Sequence, residues 1–155
     1  MLLCRKPSST LGLRATVSRN YCSLSRMPKP KLISLVEDDQ PFRESMQKLM
    51  RALGYTVEAF HSAASFLASP MLSNTDCLVT DVNMPGMTGL ELHRHLLDAG
   101  YAIPTILVTA YPDEADRNRA RNDGVFCYLS KPVDDYQLES CLRSALNGGK
   151  PHEHL

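Results

Sequence analysis

Hydrophobic and polar positions along residues 31–147 predict strands and helices in regular alternation. Five short apolar runs are bounded by polar or turn-forming residues, a pattern that indicates buried strands. These predicted strands are Leu32–Val36, Tyr55–Phe60, Cys77–Thr80, Ile103–Thr109 and Val125–Leu129. The segments between them carry apolar residues at helical spacing.

The predicted helices have recognisable ends. In the first, Pro41 suits the opening turn and Gly54 the C-terminal cap. Its apolar stripe comprises Phe42, Met46, Leu49, Met50 and Leu53. The second and third helices are predicted at Ala63–Ala68 and Gly89–Ala99. The last helix begins after a capping Asp134, carries the stripe Leu138, Cys141, Leu142, Ala145 and Leu146, and ends at Gly148 and Gly149.

The fourth helix, predicted at Asp113–Asp123, is poor in apolar residues. It offers Ala115 and Ala120 beside three arginines. A helix that buries so little apolar surface should be short, mobile or stabilised by a partner. A solvated polar helix is favoured here over a dedicated docking patch.

This alternation predicts an α/β fold, a (βα)5 unit in which a doubly wound, five-stranded, mostly parallel sheet carries helices on both faces. The predicted domain spans residues 31–147, and residues 148–155 form a C-terminal tail too short for a second domain. No internal repeat is present.

Residues 1–30 differ from the rest, with six basic residues and no acidic one. They are interpreted as a disordered or non-native N-terminal extension. An organellar transit peptide and a disordered basic tail both have this composition. A third interpretation, which we favour, is that translation starts at Met27, because the coherent fold begins a few residues later.

Charge and composition exclude several classes of function. From residue 31 onward the chain holds 17 acidic and 11 basic residues, and this negative balance argues against binding of nucleic acid by the folded part. No apolar run is long enough for a membrane-spanning helix. Five scattered cysteines without a CxxC pair disfavour a disulfide framework or a zinc site and suggest the reducing cytoplasm.

Polar side chains cluster where the predicted strands end. Glu37, Asp38 and Asp39 follow the first strand, Asp81 follows the third, and Lys131 follows the fifth. Thr109 is the last residue of the fourth strand. Because ligands of open α/β sheets bind at the carboxyl ends of the strands, we expect these side chains to share a pocket.

Three carboxylates at one edge repel each other, so a cation should accompany them. Lys131 supplies one positive charge, and carboxylate oxygens with retained waters suit Mg²⁺. A metal held in this way, with room for phosphate oxygens, is typical of a phosphoryl-transfer site. Thr109 and Lys131 can donate hydrogen bonds to a phosphoryl group, and Asp81 can act as its acceptor.

Four segments closely resemble the receiver domains of two-component response regulators, of the FixJ and chemotaxis-regulator type. They are Leu35–Asp39, Thr80–Gly89, Val108–Ala110 and Tyr128–Pro132. Their order and spacing match over roughly residues 31–147. The resemblance implies a flavodoxin-like fold with strand order 2-1-3-4-5. It also implies a phosphoacceptor switch whose chemistry is limited to its own phosphorylation and dephosphorylation, rather than a conventional enzyme.

The resemblance also implies a role for each matching residue. Asp81 matches the phosphoacceptor, Thr109 the switch hydroxyl, Lys131 the phosphate-binding lysine and Tyr128 the switch aromatic. The residues implied to bind Mg²⁺ are Glu37, Asp38, Asp81 and Asn83, with Asp38 a direct ligand, Glu37 acting through water, Asn83 through its backbone carbonyl, and Asp39 the less favoured partner. The Lys131–Pro132 bond is expected to be cis.

Three features remain open after this comparison. Asn83 and Tyr111 lie where the family tunes the lifetime of the phosphoryl group, so that lifetime is not predicted. The polar fourth helix departs from the family pattern and puts the usual output face in doubt. His93, where the family often has Leu, is interpreted as a half-buried packing residue.

Two other classes of function compete with the phosphoacceptor switch. A degenerate receiver, acting as a phosphorylation-independent dimerisation or docking module, should have a damaged acidic pocket. An enzyme on the same scaffold needs phosphate-cradling loops for a flavin, or a DxD motif for a dehalogenase-type phosphatase, and Asp81-Val82-Asn83 lacks the second Asp. The expected partners are a sensor histidine kinase or phosphotransfer protein and a downstream protein target, with dimerisation on phosphorylation left open.

Overall fold

The computed structural model describes residues 27–151, so the predictions for residues 1–26 and for the end of the tail lie outside the described part of the chain. Strands and helices alternate throughout. In chain order they are β1 (Leu32–Val36), α1 (Gln40–Ala52), β2 (Thr56–Phe60), α2 (Ala63–Leu67), β3 (Cys77–Asp81), α3 (Gly89–Asp98), β4 (Thr105–Thr109), α4 (Glu114–Asn122), β5 (Cys127–Ser130) and α5 (Asp135–Leu146). A short 3₁₀ helix, Leu72–Asn74, was not predicted.

The five strands form one parallel sheet in the order β2-β1-β3-β4-β5. Chain order and spatial order differ at β1, which pairs with both β2 and β3. The predicted doubly wound, flavodoxin-like fold is confirmed. The crevice for a ligand in such a sheet lies at the carboxyl ends of β1 and β3, where the order of the strands reverses.

Two helical layers cover the sheet, and apolar clusters on each face hold them to it. On one face, α1 and α5 contribute Met46, Met50, Leu138 and Leu142, which pack on strand residues such as Ile33. On the other face, α2 and α3 pack around Phe66, Leu92 and Leu96, and α4 contributes Ala120. Alternate residues of the central strands face opposite layers, as strand geometry requires.

Side-chain caps confirm the predicted starts of the first and last helices. The carboxylate of Asp39 accepts a hydrogen bond from the Phe42 N–H, and Asp134 accepts one from the Gln137 N–H. At α3, Thr88 and Glu91 form a reciprocal capping box, which fixes the loop after β3. Gly54 has a φ of +95° after α1, a conformation that explains glycine at this position.

Several boundaries differ by one to two residues from the prediction. β4 begins at Thr105 rather than Ile103, because Pro104 has no N–H to donate to the sheet. β3 extends to Asp81, and β5 runs from Cys127 to Ser130. None of the helices within residues 27–151 combines the length and the apolar character needed to cross a membrane.

Cys127 of β5 and Cys141 of α5 form a disulfide, so the prediction that disulfides are unlikely was wrong for this pair. Their Cα atoms lie 6.4 Å apart, a separation that a disulfide can bridge. Both residues are buried in the core between the sheet and α5. Sequence spacing did not reveal the pair, because the two cysteines meet only when the apolar stripe of α5 packs on β5.

Candidate functional site

The carboxyl ends of the strands bring the predicted site residues to one edge of the sheet. Glu37 and Asp38 follow β1, and Asp81 is the last residue of β3. The pairing of Asp81 with Val108 places Thr109 at the same edge. The pairing of Thr109 with Ser130 then brings the start of the next loop, and Lys131, beside them.

Three carboxylates form a cluster that can hold a metal ion. Glu37, Asp38 and Asp81 each offer an oxygen atom, and these atoms lie within 4.8 Å of one another. Glu37 and Asp81 are buried, whereas Asp38 is exposed to solvent. Carboxylate oxygens open to water on one side are the ligands that Mg²⁺ prefers, because it retains part of its hydration shell. The donor set therefore fits the predicted ion.

Lys131 bridges two of these carboxylates. Its ammonium lies 2.9 Å from Glu37 Oε2 and 3.3 Å from Asp81 Oδ2. It also lies 4.0 Å from the centre of the Phe42 ring, a favourable cation–π position. Burial by itself lowers the pKa of Lys131, but the hydrogen bond and the charge of Glu37, together with Asp81, outweigh it and raise this pKa. Lys131 is therefore a fixed positive charge at neutral pH.

Burial raises the pKa of Glu37 to about 7, although its hydrogen bonds to Lys131 and to the Asp39 N–H oppose this shift. The nearby charge of Asp81 acts in the same direction as burial. Arg43 donates hydrogen bonds to the backbone oxygens of Glu37 and Asp38 at 2.7 and 3.3 Å, and so fixes the loop. A divalent cation beside Glu37 would therefore stabilise its ionised form.

A pH-dependent stability follows for the metal-free chain. The folded chain retains a proton on Glu37 that the unfolded chain loses above pH 4.5, so this group destabilises the fold as the pH rises from about 4.5 to about 7. Relative to Glu37→Gln, the parent chain should lose roughly 1–3 kcal/mol of unfolding free energy across that window. Urea unfolding in the presence of EDTA measures the difference. Parallel pH profiles for the two proteins would contradict the prediction.

Asp81 is buried, with 7% of the residue exposed, and its carboxylate is held at both oxygen atoms. The Asn83 N–H donates to Oδ1 at 3.2 Å, and Lys131 donates to Oδ2. The side-chain amide of Asn83 instead donates to Thr109 Oγ1 at 3.2 Å, and the Tyr111 N–H donates to the same oxygen at 3.1 Å. The hydroxyl of Thr109 is thus held as an acceptor, with its own hydrogen available to a ligand.

Tyr128, the predicted switch aromatic, is buried beneath α4. Its hydroxyl accepts a hydrogen bond from the Asp113 N–H at 3.4 Å. The guanidinium of Arg117 lies 5.3 Å from the centre of its ring. The Nε atom of Arg117 is buried without a hydrogen-bond partner in residues 27–151. The N-terminal half of α4 therefore contacts the tyrosine directly.

Gly89 allows α3 to approach the end of β3. A Cβ atom at this position would lie 2.2 Å from the carbonyl oxygen of Asp81, well inside contact distance. Gly89→Ala should therefore destabilise the chain by about 3 kcal/mol or more, as overpacking against backbone does. Gly86→Ala is the control, since its Cβ would meet nothing within 4 Å. There the left-handed φ should cost about 1–2 kcal/mol. Equal losses in urea unfolding would argue against this contact.

Two further outcomes concern the peptide bond after Lys131 and the buried His93. The Lys131–Pro132 bond is cis, as the resemblance implied. His93 was expected to be half-buried, but it is 3% exposed and both of its ring nitrogens are hydrogen-bonded, one to Thr105 Oγ1 and one to the backbone oxygen of Asp123. No sequence signal marked these partners, which lie 12 and 30 residues away along the chain.

Comparison with known proteins gives the same family over most of the chain. Residues 33–143 match the model of the response regulator receiver domain. Nodulation protein W of Bradyrhizobium diazoefficiens is 39% identical over 114 residues, 74% of this chain and 50% of that protein. FixJ of Azorhizobium caulinodans, a transcriptional regulatory protein, is 34% identical over 120 residues, 77% of this chain and 57% of that protein. The chain thus spans about half the length of these curated relatives.

Solved structures agree with the sequence comparison. The FixJ-N crystal structure is 32% identical and has a TM-score of 0.69, covering 82% of this chain and 97% of that one. The response regulator StyR is 32% identical with a TM-score of 0.72, covering 78% of this chain and 61% of that one. The match to the family model covers well over half of the chain and agrees with the geometry of the acidic pocket. The chain belongs to the response regulator receiver domain family.

Proposed function

We propose that Asp81 accepts a phosphoryl group in a magnesium-dependent transfer, and that this modification switches the conformation of the chain to signal to a partner. One observation carries the proposal. Three carboxylates gather within 4.8 Å at the switch point of the sheet, with the Lys131 ammonium 3.3 Å from Asp81. The arrangement combines an acceptor oxygen, metal ligands and a fixed positive charge, which phosphoryl transfer requires.

The donor is a phosphohistidine of a sensor histidine kinase or of a phosphotransfer protein. A carboxylate oxygen of Asp81 forms the new bond to phosphorus while the bond between phosphorus and the histidine nitrogen breaks. The imidazole leaves with that electron pair and takes up a proton. Lys131 and the hydroxyl of Thr109 donate hydrogen bonds to the phosphoryl oxygens and so stabilise the charge that develops on them.

The metal ligands in this proposal are the carboxylates of Glu37, Asp38 and Asp81 and the backbone carbonyl of Asn83. When bound, Mg²⁺ supplies positive charge that offsets the acidic cluster and the incoming phosphoryl group. Asp38 is exposed and free to be a direct ligand, whereas buried Glu37 is already hydrogen-bonded to Lys131. The Asp39 side chain caps α1, which supports leaving it outside the metal shell.

The switch in this proposal consists of Thr109 and Tyr128. A phosphoryl group on Asp81 offers Thr109 a hydrogen-bond acceptor, and the hydroxyl exchanges its contacts with Asn83 and Tyr111 for that acceptor. Tyr128 and the N-terminal part of α4 then repack. Phosphorylation acts by shifting an equilibrium between two such arrangements. A downstream protein reads the difference, in the cytoplasm, and a homodimer formed on phosphorylation is one form that this output can take.

The competing interpretation, a degenerate receiver used for docking alone, predicts damage to the acidic pocket. Glu37, Asp38, Asp81 and Lys131 are instead present and in mutual reach. No observation on the described residues favours the docking interpretation.

Acetyl phosphate tests the proposal without a kinase, because acetate replaces the histidine as the leaving group. Incubation with acetyl phosphate and millimolar Mg²⁺ should add one phosphoryl group, detected by intact-protein mass spectrometry. EDTA should prevent the addition, and so should Asp38→Ala if Asp38 holds the ion. Magnesium alone should also raise the unfolding free energy by about 2.7 kcal/mol at one hundred times its dissociation constant, and so raise the melting temperature. Phosphorylation that proceeds equally well in EDTA would overturn the magnesium-dependent mechanism.

A further inference from the structure

Helix α4 has little apolar surface to hold it on the sheet. Of its nine described residues, Ala120 is buried, and the others are exposed or half-buried. Most helices are held by an amphipathic face that packs on the core. Contacts other than apolar packing must therefore keep α4 in position.

The C-terminal end of α4 is held by two adjacent residues of α3. Asp123 is the C-terminal cap of α4, and its backbone oxygen lies 2.9 Å from His93 Nε2. Since a carbonyl oxygen can only accept, Nε2 carries the hydrogen and donates it. The carboxylate of the same Asp123 accepts a hydrogen bond from Arg94 at 3.1 Å. Both donors lie at the C-terminal end of α4, where backbone oxygens have no partner within the helix.

The same imidazole is anchored to the sheet. Nδ1 of His93 lies 2.9 Å from Oγ1 of Thr105 in β4, and both side chains are buried. Buried polar groups are costly to leave without a partner, so the ring has little freedom to leave this position. His93 thus joins α3, β4 and the end of α4 through one rigid ring.

The opposite end of α4 contacts the switch tyrosine. The Asp113 N–H and the Arg117 guanidinium both contact Tyr128, at 3.4 Å and 5.3 Å from its hydroxyl and ring centre. A rigid helix held at Asp123 restricts where these contacts can lie. The position of the His93 ring is therefore linked to the packing of Tyr128.

We propose that His93 is a positioning residue that holds α4 in its resting place and so opposes the switch at Asp81. This inference rests on the proposed function of Asp81. The two departures from the family pattern, the polar α4 and the histidine at position 93, then have one explanation. The hydrogen bond from His93 fixes a helix that has little apolar surface to pack on the sheet. Loss of the bond to Asp123 should make the repacking of Tyr128 easier and raise the apparent affinity of Asp81 for a phosphoryl mimic.

Three substitutions separate the two bonds of the ring. A glutamine amide can reach toward Asp123 in place of Nε2, an asparagine amide can reach Thr105 in place of Nδ1, and leucine retains neither bond. Amide hydrogen exchange over residues 113–124 reports on α4, and beryllofluoride binding in constant Mg²⁺ reports on the switch. We expect His93→Asn and His93→Leu to speed exchange in α4 and to bind beryllofluoride about 3- to 10-fold more tightly, the effect of one hydrogen bond. His93→Gln should resemble the parent chain in both measurements.

The outcomes that overturn the proposal are distinct. Unchanged exchange and affinity in His93→Asn would overturn it, even if His93→Leu proved too unstable to purify. A His93→Gln variant that behaved like His93→Asn would show that the bond to Asp123 is not the reason for the effect. If the parent chain bound no beryllofluoride, the proposed function of Asp81 would fail, and the exchange comparison would still decide whether His93 holds α4.

Discussion

Asp81→Asn should abolish phosphoryl uptake completely. The amide that replaces the carboxylate is not a nucleophile toward phosphorus, and the substitution removes one of the three carboxyl groups that can hold a divalent ion. The amide oxygen can still accept the hydrogen bond that Lys131 donates at 3.3 Å, so the fold should persist. Incubation with acetyl phosphate and Mg²⁺, followed by intact-mass measurement, should show the unmodified chain alone.

Asp39→Asn is the matched control for this experiment. Asp39 lies in the same acidic segment, but its side chain caps α1 through the Phe42 N–H. Asparagine is an equally good cap, so stability and phosphoryl uptake should both match those of the parent chain. If the Asp81→Asn chain still gained a phosphoryl group, the acceptor would be another residue and the proposed function of Asp81 would be wrong.

Lys131→Met should slow phosphorylation of Asp81 by about 100- to 1000-fold, the usual effect of removing one donor that stabilises a developing oxyanion. The substitution removes the ammonium that lies between Glu37 and Asp81. Methionine retains much of the aliphatic length and can still contact Phe42, so the loss is mainly electrostatic. The rate with acetyl phosphate at saturating Mg²⁺, followed by mass spectrometry over time, measures it.

Lys131→Arg separates charge from geometry in the same position. The guanidinium retains the positive charge but cannot place one compact donor against both carboxylates, so an intermediate rate is expected. A Lys131→Met chain that reacted as fast as the parent would show that Lys131 does not contact the phosphoryl group during transfer. The magnesium-induced rise in melting temperature should survive in Lys131→Arg, which would show that the metal ligands are intact.

Local sequence signals predicted most of the fold. The apolar run Leu32–Val36 and the stripe from Phe42 to Leu53 place β1 and α1 with errors of about a residue, because burial on one face sets the period of each pattern. Polar residues directly after the strands predicted a cluster of acidic residues and a lysine, since parallel strands bring their carboxyl ends to one edge. The sequence indicated that oppositely charged residues such as Lys131 and Glu37 would lie near each other, but it did not give the distances between them.

Other features had no local signal. In the sequence, His93 has the features of an ordinary helix residue, and its partner Asp123 comes into contact only when α3 packs beside the end of α4. Cys127 and Cys141 are likewise far apart in the sequence and meet only when α5 packs on β5. The start of β4 was misplaced because the apolar run begins at Ile103, whereas Pro104 has no N–H to donate to the sheet. In each case the deciding partner is distant along the chain or is a backbone group.

The order of apolar and polar residues was thus enough to specify the alternating α/β chain, the parallel sheet and the residue types at its carboxyl edge. These depend on period, length and charge, which are local quantities. Packing alone decided that Glu37 is buried deeply enough to raise its pKa, that the Asn83 amide reaches Thr109, and that His93 of α3 contacts the backbone oxygen of Asp123 at the end of α4. Burial and hydrogen-bond partners come from segments far apart in the chain, and they exist only once those segments are in contact.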